Sequence, residues 1–120
     1  MNVPTSVLSD DIVPTKGMGA TLLTWSDRHA ATVIDYDKRQ GRVTIQLDHA
    51  LRTDKNGNSP DQEYEYHPNA KGITYNFKMD PQGKWRQCLQ NISTGRWVMS
   101  GDLGLIVGDR SQYHDYSYER

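Results

Sequence analysis

The chain has little cysteine: Cys88 is the only one among 120 residues. An intrachain disulfide is therefore excluded, and the cysteine content gives no sign of an oxidising compartment. Cys88 lies between Gln87 and Leu89 in a predicted strand, where a thiol is most often a small buried apolar side chain. We therefore do not expect a catalytic thiol, because no neighbouring residue would activate it.

The sequence also lacks long apolar runs and any marked excess of charge. No stretch approaches the length of a membrane span, and MNVPTSVLSDDIVPTKG lacks the basic segment and apolar core of a secretory signal. With 14 Lys and Arg against 15 Asp and Glu, the formal net charge is -1, which weakens non-specific nucleic-acid binding. We expect a cytoplasmic protein without a membrane partner.

No segment has the periodicity of a long helix. Short β-prone runs alternate instead with Gly, Pro, Asn and Asp, as in RVTIQLD (42–48) and ITYNFKM (73–79), where apolar and polar residues alternate. The pattern predicts an all-β fold: a small antiparallel barrel, SH3-like or related, of six or seven short strands. The length fits one domain, at residues 17–120, and residues 1–16 with their two prolines predict an extended N-terminal arm.

The stretch WSDRHAATVI (25–34) places four polar residues immediately before a predicted strand. A catalytic Ser26 would need a neighbouring base and a sharp strand-to-helix turn, and neither is evident. Ser26 and Asp27 suit a tight turn, since both side chains readily bond to nearby backbone groups. Arg28 and His29 would then be available to a ligand.

Metal sites are weakly indicated. DKNGNSPDQEYE (54–65) places oxygen-bearing side chains at positions one, three, five and twelve of a calcium-binding loop. Its glycine is at position four rather than six, and its flanks resemble strands rather than helices. The four histidines have no metal-ligand spacing, so neither a metal nor another cofactor is expected.

Arginines and aromatic residues are the remaining candidates for a site. Arginine outnumbers lysine by 8 to 6, and its planar fork suits phosphate or carboxylate. Loops of a barrel bring such groups together, so that a ring stacks on a base while guanidinium groups hold phosphates. Most aromatic residues nevertheless fill cores, and most arginines line their rims. The predicted ligand-binding residues are Arg28, His29, Arg52, Tyr75, Phe77, Trp97 and Arg110.

The ending GDRSQYHDYSYER is rich in tyrosine, at Tyr113, Tyr116 and Tyr118. Amphipathic rings at this density favour packing onto the barrel or onto a second copy of the chain. Exposed strand edges add to the expectation of a homo-oligomer.

Several blocks of the sequence carry a resemblance: GMGATLLTWSDRHAATVI, LRTDKNGNSPDQEYEYHPNAKGITYNF, GKWR and GDRSQYHDYSY. Together they resemble small proteins encoded by bacteriophages and prophages, over most of the chain from Gly17 to Tyr118. The resemblance implies a viral context in a bacterial host, in which small non-enzymatic proteins counter defence systems. Some of these act as sponges for cyclic nucleotide signals.

The leading hypothesis is a non-enzymatic, oligomeric sponge that captures a small phosphorylated nucleotide. The alternatives are a protein-interaction module that inhibits a host enzyme or nuclease, and a nucleic-acid-binding accessory protein. A hydrolase using Asp27 and His29 as acid and base is a further alternative. Fold alone does not choose among them.

Overall fold

A computed structural model describes residues 12–116, and this part of the chain is all β. It includes no helix long and apolar enough to cross a membrane. The nine strands are β1 (Gly19–Leu23), β2 (Arg28–Asp37), β3 (Arg42–Leu47), β4 (His49–Arg52), β5 (Tyr64–His67), β6 (Thr74–Met79), β7 (Trp85–Gln90), β8 (Trp97–Met99) and β9 (Gly104–Val107). The prediction of an antiparallel all-β fold is confirmed, with two or three more strands than expected.

Seven strands form one antiparallel sheet in the order β8-β7-β6-β3-β2-β1-β9. β1, β2 and β3 pair in succession as hairpins, and so do β6, β7 and β8. β3 pairs with β6, and β9 returns to pair with β1, bringing Ala20 opposite Val107. The short hairpin of β4 and β5 forms a second sheet, inserted between β3 and β6. The first and last strands of the main sheet are therefore neighbours at one of its edges.

The main sheet is not a closed barrel, which corrects the predicted architecture in that respect. Its edge strands β8 and β9 do not pair within the described residues. Gln87 spans the gap between β7 and β9: its carbonyl accepts from the Ser100 N–H at 2.9 Å and its side-chain oxygen from the Leu103 N–H at 3.4 Å. In a closed barrel, strand pairing joins the first and last strands. Here a side chain and one loop provide part of that connection.

The core lies on the inner face of the curved sheet, where every second side chain of each strand packs against those of the other strands. Phe77 is the only phenylalanine and is fully buried there, together with Val33 and Ile45. A bulge between Val33 and Asp35 bends β2, which increases the local twist of the sheet. Alternation along β3 and β6 correctly predicts that Val43, Ile45 and Phe77 are buried. Ile73, which the same pattern assigns to the face of Phe77, precedes β6 and is 63% exposed.

The predicted N-terminal arm meets this core at its described end. Ile12 packs against the buried cluster and Pro14 is buried, so the packed domain begins before Gly17, the predicted boundary. The rest of the predicted arm, residues 1–11, lies outside the described residues.

Candidate functional site

A C-terminal strap, defined as Ser111–Tyr116, crosses the start of β2 and reaches the inserted hairpin. The Ser111 N–H donates to Thr21 Oγ1 at 3.0 Å, and Gln112 Oε1 accepts from the Ala30 N–H at 2.9 Å. Tyr113 pairs with Arg28 through two backbone hydrogen bonds, at 2.9 and 2.8 Å. The expectation that the tyrosine-rich ending packs back onto the sheet is therefore met at Tyr113.

The polar quartet is a tight turn that runs into β2. The Thr24 N–H and hydroxyl both donate to the Asp27 carbonyl, at 3.0 and 3.1 Å, and Thr24 Oγ1 accepts from the Asp27 N–H. Arg28 and His29 are already part of β2. The predicted turn is present, but Thr24, rather than Ser26 or Asp27, supplies its side-chain hydrogen bonds.

The Asp27 carboxylate holds the strap instead. Its Oδ2 lies 2.9 Å from His114 Nδ1, and its Oδ1 accepts from the Asp115 N–H at 2.8 Å. Burial acts to raise the pKa of Asp27, but the hydrogen bonds from Asp115 and His114 outweigh it, and the pKa lies below its ordinary value. The histidine that meets Asp27 is thus His114, not His29 as in the hydrolase alternative.

This arrangement does not build a serine nucleophile. The Ser26 hydroxyl donates to Asp27 Oδ1 at 3.4 Å, so it is directed at the carboxylate rather than at an imidazole base. His29 Nδ1 lies 3.5 Å from the Gln112 amide nitrogen. Asp27 and His114 together fix the strap to the turn.

An open notch lies beside the strap, with a volume of about 440 Å³. Ser26, Arg28, Ser111, Gln112 and Tyr113 line it. The Arg28 side chain is exposed and makes no ion pair within residues 12–116, so its guanidinium is free to meet an anion. Arg28 is one predicted residue that the structure leaves accessible.

Arg110 is bound by protein groups. Its Nε lies 2.7 Å from Asp48 Oδ2 and donates to the Ala31 carbonyl, while Nη2 donates to the Thr32 hydroxyl at 3.0 Å. The Asp48 side chain is fully buried, and its Oδ1 accepts a hydrogen bond from the Thr32 hydroxyl at 2.6 Å. Because a buried carboxylate needs a cation beside it, we assign Arg110 to this ion pair.

Arg52 is also paired, on the inserted hairpin. Its Nε donates to Asp54 Oδ2 at 2.8 Å, and Nη1 donates to the Tyr116 hydroxyl at 3.1 Å. The hydrogen bond from Arg52, followed by that from the Glu63 N–H, holds the pKa of Asp54 well below its usual range. With its carboxylate so occupied, Asp54 is a poor start for a calcium loop, and no cluster of metal-binding side chains occurs in the described part of the chain.

The three predicted aromatic residues have different environments. Phe77 is a core residue and cannot reach a ligand, and Tyr75 is partly buried against the same cluster. Trp97 lies on the edge strand β8, half-buried, with the Arg42 guanidinium 4.3 Å from its ring centroid. Trp97 is therefore the aromatic residue positioned to contact a ligand.

Around Trp97 lies a second cleft, which we call the basic groove, of about 310 Å³. Its lining residues come from the turn after β2, from β6, and from the turn before β8: Gln40, Lys78, Thr94, Gly95, Arg96 and Trp97. Antiparallel pairing places Arg42 directly opposite Lys78 on the same face of the sheet. Thus the groove joins three segments that are far apart in sequence.

The groove is locally positive although the whole chain is nearly neutral. Neither Lys78 nor Arg96 forms an ion pair with any residue that the structure describes. Two further cations, Lys38 and Arg39, immediately precede Gln40 in the exposed turn. The acid closest along β6, Asp80, is bound to Arg86 at 2.8 Å. This combination of unpaired cations and a fixed aromatic ring suits a phosphorylated ligand.

Arg42 is held in place over the ring. Its Nη1 donates to Asn76 Oδ1 at 3.1 Å and to the Thr44 hydroxyl at 3.3 Å, and Nη2 lies 3.7 Å from Asp37 Oδ2. A guanidinium on an indole face is a favourable cation–π contact that fixes the ring's orientation. Trp97 is thus preorganised before any ligand arrives.

Cys88 lies on this same face of the sheet, directly opposite Asn76, and is buried, as the sequence predicts. Burial raises the pKa of its thiol, only partly opposed by the positive charges of Arg42 and Lys78. A thiol with a raised pKa is a poor nucleophile, so its environment favours packing over chemistry.

Of the seven predicted residues, the structure brings Arg28 and His29 together beside the strap, while Trp97 lies in the basic groove. Arg52, Arg110, Tyr75 and Phe77 lie elsewhere, in ion pairs or in the core. Sequence reasoning did not select Arg42, Lys78 or Gln40. Strand alternation could have placed Arg42 and Lys78 on the outer face, but their juxtaposition depends on the β3–β6 register, which crosses the inserted hairpin.

Comparisons with protein-family models, with curated proteins and with solved structures find no match to this chain.

Proposed function

We propose that the protein is a non-enzymatic binding protein that holds a small phosphorylated nucleotide in the basic groove. One observation carries the proposal: two unpaired cations, Lys78 and Arg96, line the same groove as an indole whose position is fixed by Arg42. The base would stack on the exposed part of Trp97, and phosphate oxygens would meet the two cations.

The groove favours binding without chemistry. Its lining side chains are amide, hydroxyl, cationic and aromatic, with no carboxylate, imidazole or thiol among them. Lysine and arginine stabilise phosphate charge, but general acid–base catalysis requires a group that exchanges a proton near neutral pH. A ligand held here would be retained rather than cleaved.

The biological role follows from the resemblance to phage-encoded proteins. We propose that the protein sequesters a cyclic nucleotide immune signal in the cytoplasm of the bacterial host, as an anti-defence sponge and as a homo-oligomer. Two cations in the same groove as an aromatic ring suit a ligand with more than one phosphate, as cyclic di- and trinucleotides have.

Thermal shift and calorimetry with cyclic di- and trinucleotides and ADP-ribose derivatives test the proposal. At a hundredfold excess over its Kd, a ligand adds about 2.7 kcal/mol to the free energy of unfolding. The variant Lys78→Gln with Arg96→Gln should lose this stabilisation, because it removes both unpaired cations. Lys55→Gln with Lys71→Gln, which removes two exposed cations outside the groove, is the matched control and should bind like the wild type.

Trp97→Leu separates stacking from charge. It should weaken nucleotide binding by about tenfold or more, since stacking on an aromatic side chain is worth about 1–3 kcal/mol per base. Trp25→Leu is the control, because Trp25 is 89% exposed and lies outside the groove. If no member of the panel binds, or if the groove variants bind as well as the wild type, the proposal is wrong.

Binding measurements with single-stranded oligonucleotides test the nucleic-acid alternative. The cations of the groove continue into the turn with Lys38 and Arg39, which gives the surface some length. Tight, strongly salt-dependent binding of an oligonucleotide, with no binding of small nucleotides, would replace the sponge proposal by a nucleic-acid-binding function.

A further inference from the structure

We propose that the free edge of β8 is a contact surface for a second copy of this chain, which pairs with it antiparallel about a twofold axis. Arg96 lines the basic groove and also precedes β8, so the dimer is tested on nucleotide-free protein and does not depend on nucleotide binding. It locates the expected self-association on one strand, with Trp97 and Met99 as the residues whose backbone groups would join the two sheets.

The backbone of β8 has one side bonded and one side open. The Arg96 carbonyl accepts from the Asn91 N–H at 2.8 Å, and the Ser100 N–H donates to the Gln87 carbonyl at 2.9 Å. Because backbone groups alternate along a strand, Trp97 and Met99 direct theirs away from β7. β8 is the end of the sheet, so this outer side has no strand partner within the described residues.

The side chains at this edge are more apolar than an edge strand of a monomer usually allows. Leu89, Val98 and Met99 are 55%, 53% and 43% exposed, and Leu89 and Val98 are direct cross-strand neighbours. Both border a shallow depression of about 280 Å³. β8 is short, which limits its pairing with another chain, but its three residues include no charge, proline or bulge that would block pairing.

Charge complementarity selects a second copy as the occupant. Arg96 immediately precedes β8, and Asp102 follows shortly after it; both are exposed, and neither forms an ion pair with a described residue. In an antiparallel pair, the start of one strand lies beside the end of the other. Two copies therefore bring each Arg96 close to the partner's Asp102, twice across the same axis.

Sedimentation velocity of the nucleotide-free protein over a range of concentrations tests this surface. The wild type should dimerise, and Val98→Lys should weaken the dimer by tenfold or more. Val13→Lys is the control, because Val13 is an exposed apolar residue outside the sheet. A wild type that stays monomeric at every concentration would overturn the proposal.

A charge exchange gives the sharper result. Arg96→Asp and Asp102→Arg should each weaken the dimer, and the double variant should restore it, since the pairs reform with opposite polarity. Hydrogen exchange supplies an independent measurement: the amides of Trp97 and Met99 should exchange more slowly as concentration rises. A dimer in which these amides keep their monomer rates, or one that the double variant fails to restore, excludes the β8 surface.

Discussion

Asp27 shows how far a residue's chemistry depends on neighbours that are distant in sequence. The local pattern of Ser26 and Asp27 correctly predicts a turn, because such preferences act over two or three residues. The pattern cannot identify His114 and Asp115 as the partners of its carboxylate, since those contacts span 87 and 88 positions. The same limit applies to Arg110, whose buried partner Asp48 determines its role.

Gly101 is a residue at which any side chain should destabilise the fold. Its φ of 108° lies in the region that L residues rarely adopt, and an added Cβ would collide with the Gln87 side-chain oxygen. We expect Gly101→Ala to lower the free energy of unfolding by about 1–3 kcal/mol, measured by urea denaturation.

Gly83→Ala is the matched control, because Gly83 has a φ of 83° but open space where the Cβ would lie. The Gly83→Ala variant therefore has the unfavourable backbone conformation but no steric clash. Equal losses for the two variants would show that Gln87 moves aside and that its bridge across the gap adds little.

Asp54 should make stability depend on pH in the acid range. Its pKa in the folded protein is depressed, first by the hydrogen bond from Arg52, so its contribution is present above its ordinary pKa of 3.8 and is lost as pH falls. Asp54→Asn should therefore flatten the loss of stability between about pH 5 and pH 2, because the amide cannot be protonated there. Asp35→Asn, at an exposed position on β2, should leave the wild-type slope unchanged in urea titrations.

At the scale of elements, the sequence predicts strands well where apolar and polar residues alternate. It does so for β3 and β6, each of which has one face in the core. β4 lacks this signal, because its four residues bury no apolar side chain fully and it pairs only with β5. Its partner β5 does alternate, so the pattern predicts one strand of the inserted hairpin and not the other.

Gln62 should be a main support of that hairpin. Its amide donates to the His114 carbonyl at 2.8 Å, and its side-chain oxygen accepts from the His114 N–H at 3.0 Å. Gln62→Ala should reduce stability by about 1–3 kcal/mol. Hydrogen exchange should accelerate across β5 more than across β2, since the strap no longer holds the hairpin.

Gln82→Ala, at an exposed turn position, is the control and should leave exchange in β5 at its wild-type rate. If Gln62→Ala accelerates exchange uniformly over the whole sheet, the hairpin is part of the main cooperative unit rather than a supported appendage.

At the scale of the molecule, composition and pattern predict an all-β domain but leave its closure open. A barrel and a curved open sheet share the same alternation, and they differ in whether the last strands meet. That difference depends here on Gln87 and the loop beyond β8, which have no distinctive sequence signal. The basic groove likewise could not be predicted from composition, because the balanced overall charge hides a local excess of cations. Only the order of the strands brings those cations together.

The main sheet should unfold as one cooperative unit and refold slowly. The pairing of β1 with β9 joins residues 87 positions apart at Ala20 and Val107, and such non-local contacts slow folding to about milliseconds to seconds. Stopped-flow fluorescence should show one main phase on that timescale, and near- and far-ultraviolet circular dichroism should give coincident urea transitions. Separate transitions would indicate that the seven strands do not behave as one unit.

The return of β9 to β1 also has a consequence during synthesis. While a ribosome still encloses Gly104–Tyr116, β1 has only one of its two neighbours, and the turn at Asp27 lacks the segment that it binds. Hairpins made earlier assemble as they emerge, but the native edge is completed only after release of this segment. A nascent chain stalled before Gly104 should therefore remain sensitive to protease at β1, whereas one extended well past Tyr116 should resist it.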